Sequence, residues 1–118
     1  MTTSEFATRL GLTDSALRYY ERVGVLQPIL RRSNGYREFR DADITWMQFV
    51  LRLKATGMPL SQIIEYARLR EEGPATIRDR KALLQEHEGR IRAELEDRQT
   101  HLKKIQEKID YYQSLEED

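Results

Sequence analysis

The sequence predicts a mainly α-helical protein in which a winged helix-turn-helix and a second helical pair precede one long C-terminal helix. Three observations predict this class. Two short helices meet at Gly11, Asn34-Gly35 lies between two short strand-like runs, and apolar residues recur at intervals of four and three over residues 77–112. We expect a winged helix-turn-helix DNA-binding domain over residues 1–73 and a coiled-coil dimerisation helix over residues 74–118.

Composition and charge are those of a helix-rich soluble protein with an uneven charge distribution. The net charge is zero, yet residues 1–56 hold nine lysines and arginines against six acidic residues, and the remainder holds eleven against fourteen. A basic first half and an acidic second half fit a nucleic-acid-binding head on a partner-binding tail. No apolar run approaches a membrane span and the first residues lack the pattern of a signal peptide, so we expect a cytoplasmic protein.

The absence of cysteine excludes disulfides, thiol catalysis, thiol redox sensing and cysteine metal sites. The two histidines, His87 and His101, lie fourteen residues apart on one predicted helix, too far to share a metal, so we expect neither a metal nor another cofactor. The residues do not assemble into a nucleophile, base and orienting group, and there is no glycine-rich phosphate loop. We therefore do not expect an enzyme.

Two short helices are predicted at the start of the chain. Thr2 and Glu5 form a capping-box pattern for a helix that is broken at Gly11, and Thr13 is the expected cap of the second helix. The second helix turns its apolar side inward and leaves four side chains free to face outward: Ser15, Arg18, Tyr19 and Arg22. A short helix with a polar start and a basic, aromatic outer face suits the major groove of DNA.

A basic β-hairpin is predicted between Ile29 and Phe39. Asn34-Gly35 is a strong signal for a type I′ turn, and four arginines populate the hairpin and its exit: Arg31, Arg32, Arg37 and Arg40. Such a wing beside a helix-turn-helix can hold backbone phosphates next to the groove that the helix reads. The Arg31-Arg32 pair could also keep an edge strand from pairing with another sheet, and the two roles are compatible.

Two more helices, one stopped at Gly57 and one ending at Gly73-Pro74, precede a helix of roughly 40 residues, about 60 Å long at the standard rise. This last helix carries an apolar seam interrupted by Lys81, Glu88 and Arg98, which could set register or mark loose packing. A single helix cannot bury such a seam in so small a domain, so we expect a homodimer through a two-stranded coiled coil. Its predicted interface residues are Leu84, Ile91, Leu95, Leu102, Ile105, Ile109 and Tyr112.

Aromatic residues outside the hairpin allow two interpretations. Trp46, Tyr66 and Tyr111 could belong to an effector pocket, with Tyr112 beside them. They could instead be core and dimer packing, which is the commoner role of aromatic residues at helical spacing and the one we prefer.

These features together resemble the MerR family of bacterial transcriptional regulators, over nearly the whole chain. The most specific strings are R-Y-Y-E-R-x-G-x-L, starting at Arg18, and N-G-Y-R, starting at Asn34. The other matching segments are Glu5-Phe6-Ala7, Gly11-Leu12-Thr13, Pro28, Arg31, Phe39, Asp43-Ile44 and the run from Leu53 to Leu60. The resemblance implies a winged helix-turn-helix, a second helical pair and an antiparallel coiled-coil dimer.

The resemblance also implies a mechanism and its contact residues. A family member binds double-stranded DNA at an inverted-repeat promoter spacer, and an effector switches it to bend and undertwist that DNA so that RNA polymerase can engage both promoter elements. By position, DNA contacts are implied for Thr13, Ser15, Arg18 and Tyr19 on the helix and for Asn34, Tyr36 and Arg37 on the wing. Tyr20, Arg22, Arg31 and Gly35 complete the predicted interface, although Tyr20 could pack as core instead.

The chain departs from the branch of the family that it resembles most, which includes aldehyde-responsive and electrophile-responsive regulators. That branch typically uses a cysteine in the third helix, near Leu51 and Arg52 here, and this chain has none. A thiol-adduct sensor is excluded, and the family's cysteine-based metal sensing is not expected. The effector therefore stays unknown. An architectural, excisionase-like DNA-bending protein without an effector is the alternative function, whereas a pure coiled-coil adaptor would not need the wing.

Overall fold

The computed structural model describes residues 1–27, 30–31 and 37–117, and for residues 30, 31 and 37 it describes only the backbone. Within these residues the elements are α1 Thr3–Leu10, α2 Asp14–Arg22, β1 Leu30–Arg31, β2 Arg37–Glu38, α3 Asp41–Ala55, α4 Leu60–Glu72 and α5 Ile77–Glu116. A short 3-10 turn, Pro74–Thr76, joins α4 to α5. The predicted mainly α-helical class, with a helix-turn-helix at the start and one long helix at the end, is confirmed.

Both short helices begin at the predicted threonine caps. The Thr2 hydroxyl accepts a hydrogen bond from the Glu5 amide at 3.2 Å, and the Thr13 hydroxyl accepts one from the Ala16 amide at 3.0 Å. These bonds satisfy amides that have no partner inside the helix. The first helix ends at Gly11, whose φ of 69° is left-handed and therefore favours glycine.

The wing strands pair antiparallel, with Leu30 opposite Glu38 and Arg31 opposite Arg37. In a hairpin with a two-residue turn at Asn34-Gly35 and no bulge, Arg31 would pair with Glu38. The observed register is shifted by one residue from that pairing. The predicted type I′ turn itself lies outside the described residues. The backbone of Phe39, just after β2, exchanges two hydrogen bonds of 3.0 Å with Met1, which ties the exit of the wing to the start of α1.

The core of the first compact unit, Met1–Leu83, here called the head, joins α1, α2, α3 and α4. Phe6 and Phe39, both buried, stack with ring centroids 4.3 Å apart. Trp46 donates a hydrogen bond from Nε1 to the carbonyl oxygen of Val25 at 2.9 Å, so α3 is also fixed to the segment that leaves α2. The other large side chains with almost no exposure are Leu17, Leu26, Met47, Val50 and Ile63.

A buried carboxylate organises the start of α3. Asp43 is 2% exposed, and its Oδ2 accepts a hydrogen bond of 2.9 Å from the backbone amide of Arg40, the residue that caps the helix. The Arg40 Nε lies 3.7 Å from the same oxygen. In the sequence, Asp43 is only one of the residues that carry the family resemblance, whereas in the structure its carboxylate ties the exit of the wing to the start of α3.

Contacts divide the chain into two compact units, Met1–Leu83 and Leu84–Asp118. The predicted division at Gly73 stays a prediction. The helix α5 has 40 residues, which confirms the predicted length. Within the described parts of the chain no helix combines the length and the apolar character that a membrane crossing requires.

Candidate nucleic-acid interface

Helix α2 separates a buried face from an exposed one. Leu17 and Tyr20 are 0% and 3% exposed, and they anchor the helix in the head. The residues that the sequence placed outward are all exposed: Ser15, Arg18, Tyr19 and Arg22. The helix therefore offers a hydroxyl, a phenol and two guanidinium groups to solvent on one side.

Two of these exposed side chains support each other. The Cζ of Arg22 lies 5.6 Å from the ring centroid of Tyr19, one turn earlier on α2. This is within the range of a cation–π contact, which holds a guanidinium beside a phenol. Tyr19 is still 38% exposed, so its ring edge and hydroxyl remain accessible.

Thr13 lies at the exposed start of the helix. Its Oγ1 is occupied as the acceptor for the Ala16 amide, and its hydroxyl hydrogen is available to a partner outside the helix. The first amides of α2 and the positive end of the helix dipole favour an anion here. Thr13 thus combines a role in starting the helix with a position suited to a phosphate.

Tyr20 packs as core, the second of the two roles considered for it. At 3% exposure only a small part of the residue reaches solvent, and its backbone oxygen accepts hydrogen bonds from Val25 and Leu26 where the helix ends. At this degree of burial, a DNA contact by Tyr20 stays a prediction.

Lys54 is a basic residue beside α2 that the sequence analysis did not assign to the interface. Its Nζ lies 5.8 Å from the ring centroid of Tyr20. A cavity of about 300 Å³ separates α2 from the α3–α4 junction, lined by Ala16, Tyr19, Tyr20, Lys54, Met58, Leu60 and Ile63. The sequence signal that could have identified Lys54 is its place three residues before the helix break at Gly57.

The wing residues can be placed only in part. Arg31 and Arg37 lie opposite each other in the two strands, so both arginines belong to the wing as predicted. Asn34, Gly35 and Tyr36, also predicted to contact DNA, lie outside the described residues. The hairpin leads directly into Phe39 and the buried Asp43, and it is therefore attached to the same core as α2.

The aromatic residues proposed for an effector pocket fall into two places. Trp46 and Tyr66 stack on each other, with ring centroids 5.7 Å apart and an interplanar angle of 8°. Tyr111 belongs to the second unit, where its ring lies 5.9 Å from that of Tyr112 and 5.7 Å from the Nζ of Lys108. Trp46 is 7% exposed, as expected of core packing, although a cavity opens beside it.

The predicted dimer seam is apolar and open along much of α5. Leu84 and Ile91 are half-buried, and the remaining seam residues are more than half exposed: Leu95, Leu102, Ile105, Ile109 and Tyr112. Among the described residues no group of three or more histidine, cysteine or acidic side chains is arranged to hold a metal ion.

Comparison with protein families gives two matches that together span most of the chain. The model described as "MerR HTH family regulatory protein" matches residues 1–69, and the model described as "MerR, DNA binding" matches residues 44–111. The first covers α1, α2, the wing, α3 and most of α4, and the second continues along α5.

Individual proteins agree with the family models. The HTH-type transcriptional regulator AdhR of Bacillus subtilis (strain 168) is 36% identical over 91 residues, which are 77% of this chain and 65% of that protein. The crystal structure of HiNmlR, described as a MerR family regulator lacking the sensor domain and bound to promoter DNA, has a TM-score of 0.81 at 29% identity, covering 96% of this chain and 90% of that one.

A third comparison extends the likeness over almost the full length of both proteins. A MerR family transcriptional regulator from Bacillus thuringiensis has a TM-score of 0.75 at 33% identity, covering 92% of this chain and 96% of that one. The helix-turn-helix with the exposed arginines of α2, the wing and the long final helix are thus accompanied by family matches over the same residues. The chain belongs to the MerR family of helix-turn-helix transcriptional regulators.

Proposed function

We propose that this protein binds an inverted-repeat promoter element as a homodimer and controls transcription by distorting the DNA, acting on RNA polymerase through the promoter. The observation that carries the proposal is the two-sided character of α2. Its inner face is locked into the head by Leu17 and Tyr20, while Arg18, Tyr19 and their neighbours stand in solvent. A rigidly held, exposed basic helix is what direct readout of a groove requires.

The dimensions of α2 suit a major groove. Its nine residues correspond to about 13 Å at the standard helical rise. The groove is about 12 Å wide, so the exposed side chains can approach base edges while Thr13 and the first amides meet a phosphate. In this arrangement Thr13, Ser15, Arg18, Tyr19 and Arg22 form the reading surface.

Phosphate contacts on either side of α2 would fix its register. The wing supplies Arg31 and Arg37, with Asn34, Gly35 and Tyr36 at the tip of the predicted hairpin, and Lys54 supplies a charge beside the Tyr20 ring. Such contacts give affinity without sequence preference, whereas the contacts from α2 to bases give the preference.

The homodimer is supported by the stripe of apolar residues on α5. From Leu95 to Tyr112 the seam residues fall on one side of the helix at alternating intervals of three and four, interrupted only by Arg98, and each apolar one exposes more than half of its surface. Leucine and isoleucine side chains with this much exposure to water favour association with the equivalent stripe of a second copy of the chain. On this proposal residues 74–118 serve dimerisation and residues 1–73 serve DNA binding.

Control of transcription by distortion of the DNA is typical of the family and needs no catalytic chemistry. We therefore propose a regulator that is not an enzyme and that binds the chromosome in the cytoplasm. HiNmlR, described as lacking the sensor domain, was nevertheless captured on promoter DNA. The likeness to that protein supports a second candidate function, that of an architectural DNA-bending protein that has no effector.

The test is fluorescence anisotropy of the full chain on duplexes tiled across the promoter of its own gene and of the neighbouring genes. We expect tight binding to one inverted repeat that resists unrelated competitor DNA and weakens with salt. Weak, uniform and steeply salt-dependent binding to every duplex would contradict the proposal and favour the architectural alternative. A bend that is the same under every growth condition would also favour that alternative.

A further inference from the structure

A second surface of the head, away from the exposed face of α2, combines aromatic walls with two arginines. The cavity beside Trp46, here called the Trp46 cavity, has a volume of about 250 Å³. It is lined by four residues of α3, two of α4 and one near the start of α5: Ala42, Thr45, Trp46, Phe49, Tyr66, Arg70 and Arg80. All seven belong to the unit Met1–Leu83.

The aromatic wall has a fixed geometry. The Nε1 of Trp46 is bound to the carbonyl oxygen of Val25, so the indole cannot rotate without losing a buried hydrogen bond. Tyr66 stacks on Trp46 and is also 6.0 Å from Phe49 in a tilted arrangement. The rings therefore form a preorganised apolar surface contributed by two helices.

The charged wall is formed by the two arginines. The Cζ of Arg70 lies 4.2 Å from the Trp46 ring centroid, and its nearest carboxylate, that of Glu71, is 3.7 Å from its Nη1, beyond hydrogen-bond distance. Arg80 donates from Nε to the Thr76 hydroxyl and from Nη2 to the Gly73 carbonyl, each at 3.2 Å. These two bonds hold the guanidinium in place while its Nη1 has no hydrogen-bond partner in the described part of the chain.

The lining contains two arginines and no carboxylate, and within the described part of the chain only Arg70 of the two forms an ion pair, with Glu71 outside the lining. The electrostatic preference of the cavity is therefore for an anion. A planar guanidinium matches a planar carboxylate with two parallel hydrogen bonds. The aromatic floor beside the arginines adds a preference for a flat apolar group attached to that carboxylate.

We propose that the Trp46 cavity binds a small aromatic carboxylate, with its carboxylate between Arg70 and Arg80 and its ring against Tyr66 and Phe49. The cavity is slightly smaller than the usual range for drug-sized ligands, so one substituted ring is the largest group that it holds. A ligand of this size in an open cavity binds with a dissociation constant on the order of 1 mM. Binding at this site is independent of the proposed DNA contacts.

Trp46 makes the proposal directly measurable, because it is the only tryptophan of the chain. Benzoate is titrated into the full-length protein without DNA, and the Trp46 fluorescence is followed, with benzyl alcohol as the neutral comparison. A carboxylate that pairs with Arg70 changes the position or the charge environment of the guanidinium that lies over the indole, and so changes the fluorescence of Trp46. We expect a saturable fluorescence change with benzoate and a response to benzyl alcohol that is at least about tenfold weaker.

Three variants assign the response to the cavity. R80Q removes the arginine that does not touch Trp46, and R70Q removes the one that does; each should weaken benzoate binding about tenfold. R78Q is the matched control, because Arg78 is exposed, lies on the same helix as Arg80 and does not line the cavity. Circular dichroism of each variant separates loss of binding from loss of folding.

The proposal is overturned by any of three results: no saturable change with benzoate, an equal response to benzyl alcohol, or equal binding by R80Q and R78Q. Because the titration contains no DNA, these results leave the proposed DNA-binding function untouched. Failure of the protein to bind any duplex would likewise leave the benzoate titration unaffected.

Discussion

Thr13 shows how one side chain links the start of a helix to the surface that we propose for DNA. Its hydroxyl oxygen accepts a hydrogen bond from the Ala16 amide. Removing that acceptor leaves an amide in the first turn of α2 without a partner. We expect Thr13→Ala to lower the free energy of unfolding by about 1 kcal/mol and Thr13→Ser to change it little. Urea denaturation of the three proteins measures the difference. Equal stability of the alanine and serine variants would show that the cap contributes nothing.

Arg68 on α4 controls the pKa of a neighbouring carboxyl group, that of Glu65. The Arg68 guanidinium donates to Glu65 and Glu72 and pairs with both carboxylates. The hydrogen bond from Arg68 lowers the pKa of Glu65 below its usual value of 4.5, and the hydrogen bond to Glu65, together with the charges of Glu65 and Glu72, raises the pKa of Arg68. The pair therefore stabilises the fold above the usual pKa of Glu65, and that contribution is lost as pH falls through the lowered value.

We expect Arg68→Gln to raise the pKa of Glu65 toward its usual value, as followed by a carboxyl carbon NMR titration. The variant should remain folded, because the side chains of this cluster are about half exposed and such pairs stabilise a fold weakly. Arg78→Gln is the matched control and should leave the Glu65 titration in place. An unchanged Glu65 titration in Arg68→Gln would show that the pairing is not populated in solution.

Residues with local signals were predicted, and residues whose roles depend on distant partners were not. Thr2, Thr13 and Gly11 act within one helical turn, and a short stretch of sequence contains everything that determines their roles. Arg70 gains its role from the Trp46 ring, whose position depends on packing. The sequence named Trp46 as an aromatic of interest, but its bond to Val25 spans 21 residues and has no local signature.

At the scale of elements, α5 was predicted almost in full. Its heptad spacing and its start after the Gly73-Pro74 break gave a helix of roughly the observed 40 residues. The strand pairing of the wing was less predictable, because the composition of a short hairpin determines the presence of a turn better than its register. The observed opposition of Arg31 and Arg37 illustrates this difference.

The stripe on α5 carries an element-scale prediction about assembly. Leu102 lies on the seam and is 55% exposed, whereas Thr100 lies about 200° away around the helix at 100° per residue. We expect Leu102→Glu to place a charge in the paired seam and to convert the dimer to a monomer in sedimentation velocity.

Thr100→Glu introduces the same side chain on the opposite face and should remain dimeric. Circular dichroism of the remaining helices tells whether the head stays folded in the monomer. Two variants with the same sedimentation coefficient as the unmodified protein would contradict the proposed seam.

At the scale of the whole molecule, charge is distributed according to the proposed roles. The first 56 residues have an excess of three positive charges and the remainder an equal negative excess, so the half of the sequence that we propose to bind DNA is the basic one. Each phosphate contact should contribute about 0.9 to the slope of log affinity against log salt concentration. Fold and family were predictable from sequence because the helix-turn-helix strings are specific, whereas the operator and the effector depend on molecules outside the chain.

Whether α2 reads the DNA is decided by comparing Arg18→Ala with Arg78→Ala on the inverted repeat, by fluorescence anisotropy across a salt series. Both arginines are exposed, and only Arg18 lies on the outer face of α2. We predict that Arg18→Ala weakens binding at least about tenfold and that Arg78→Ala leaves it unchanged. Unchanged affinity and salt slope for Arg18→Ala would contradict the account, because α2 would then not be the helix that reads the DNA.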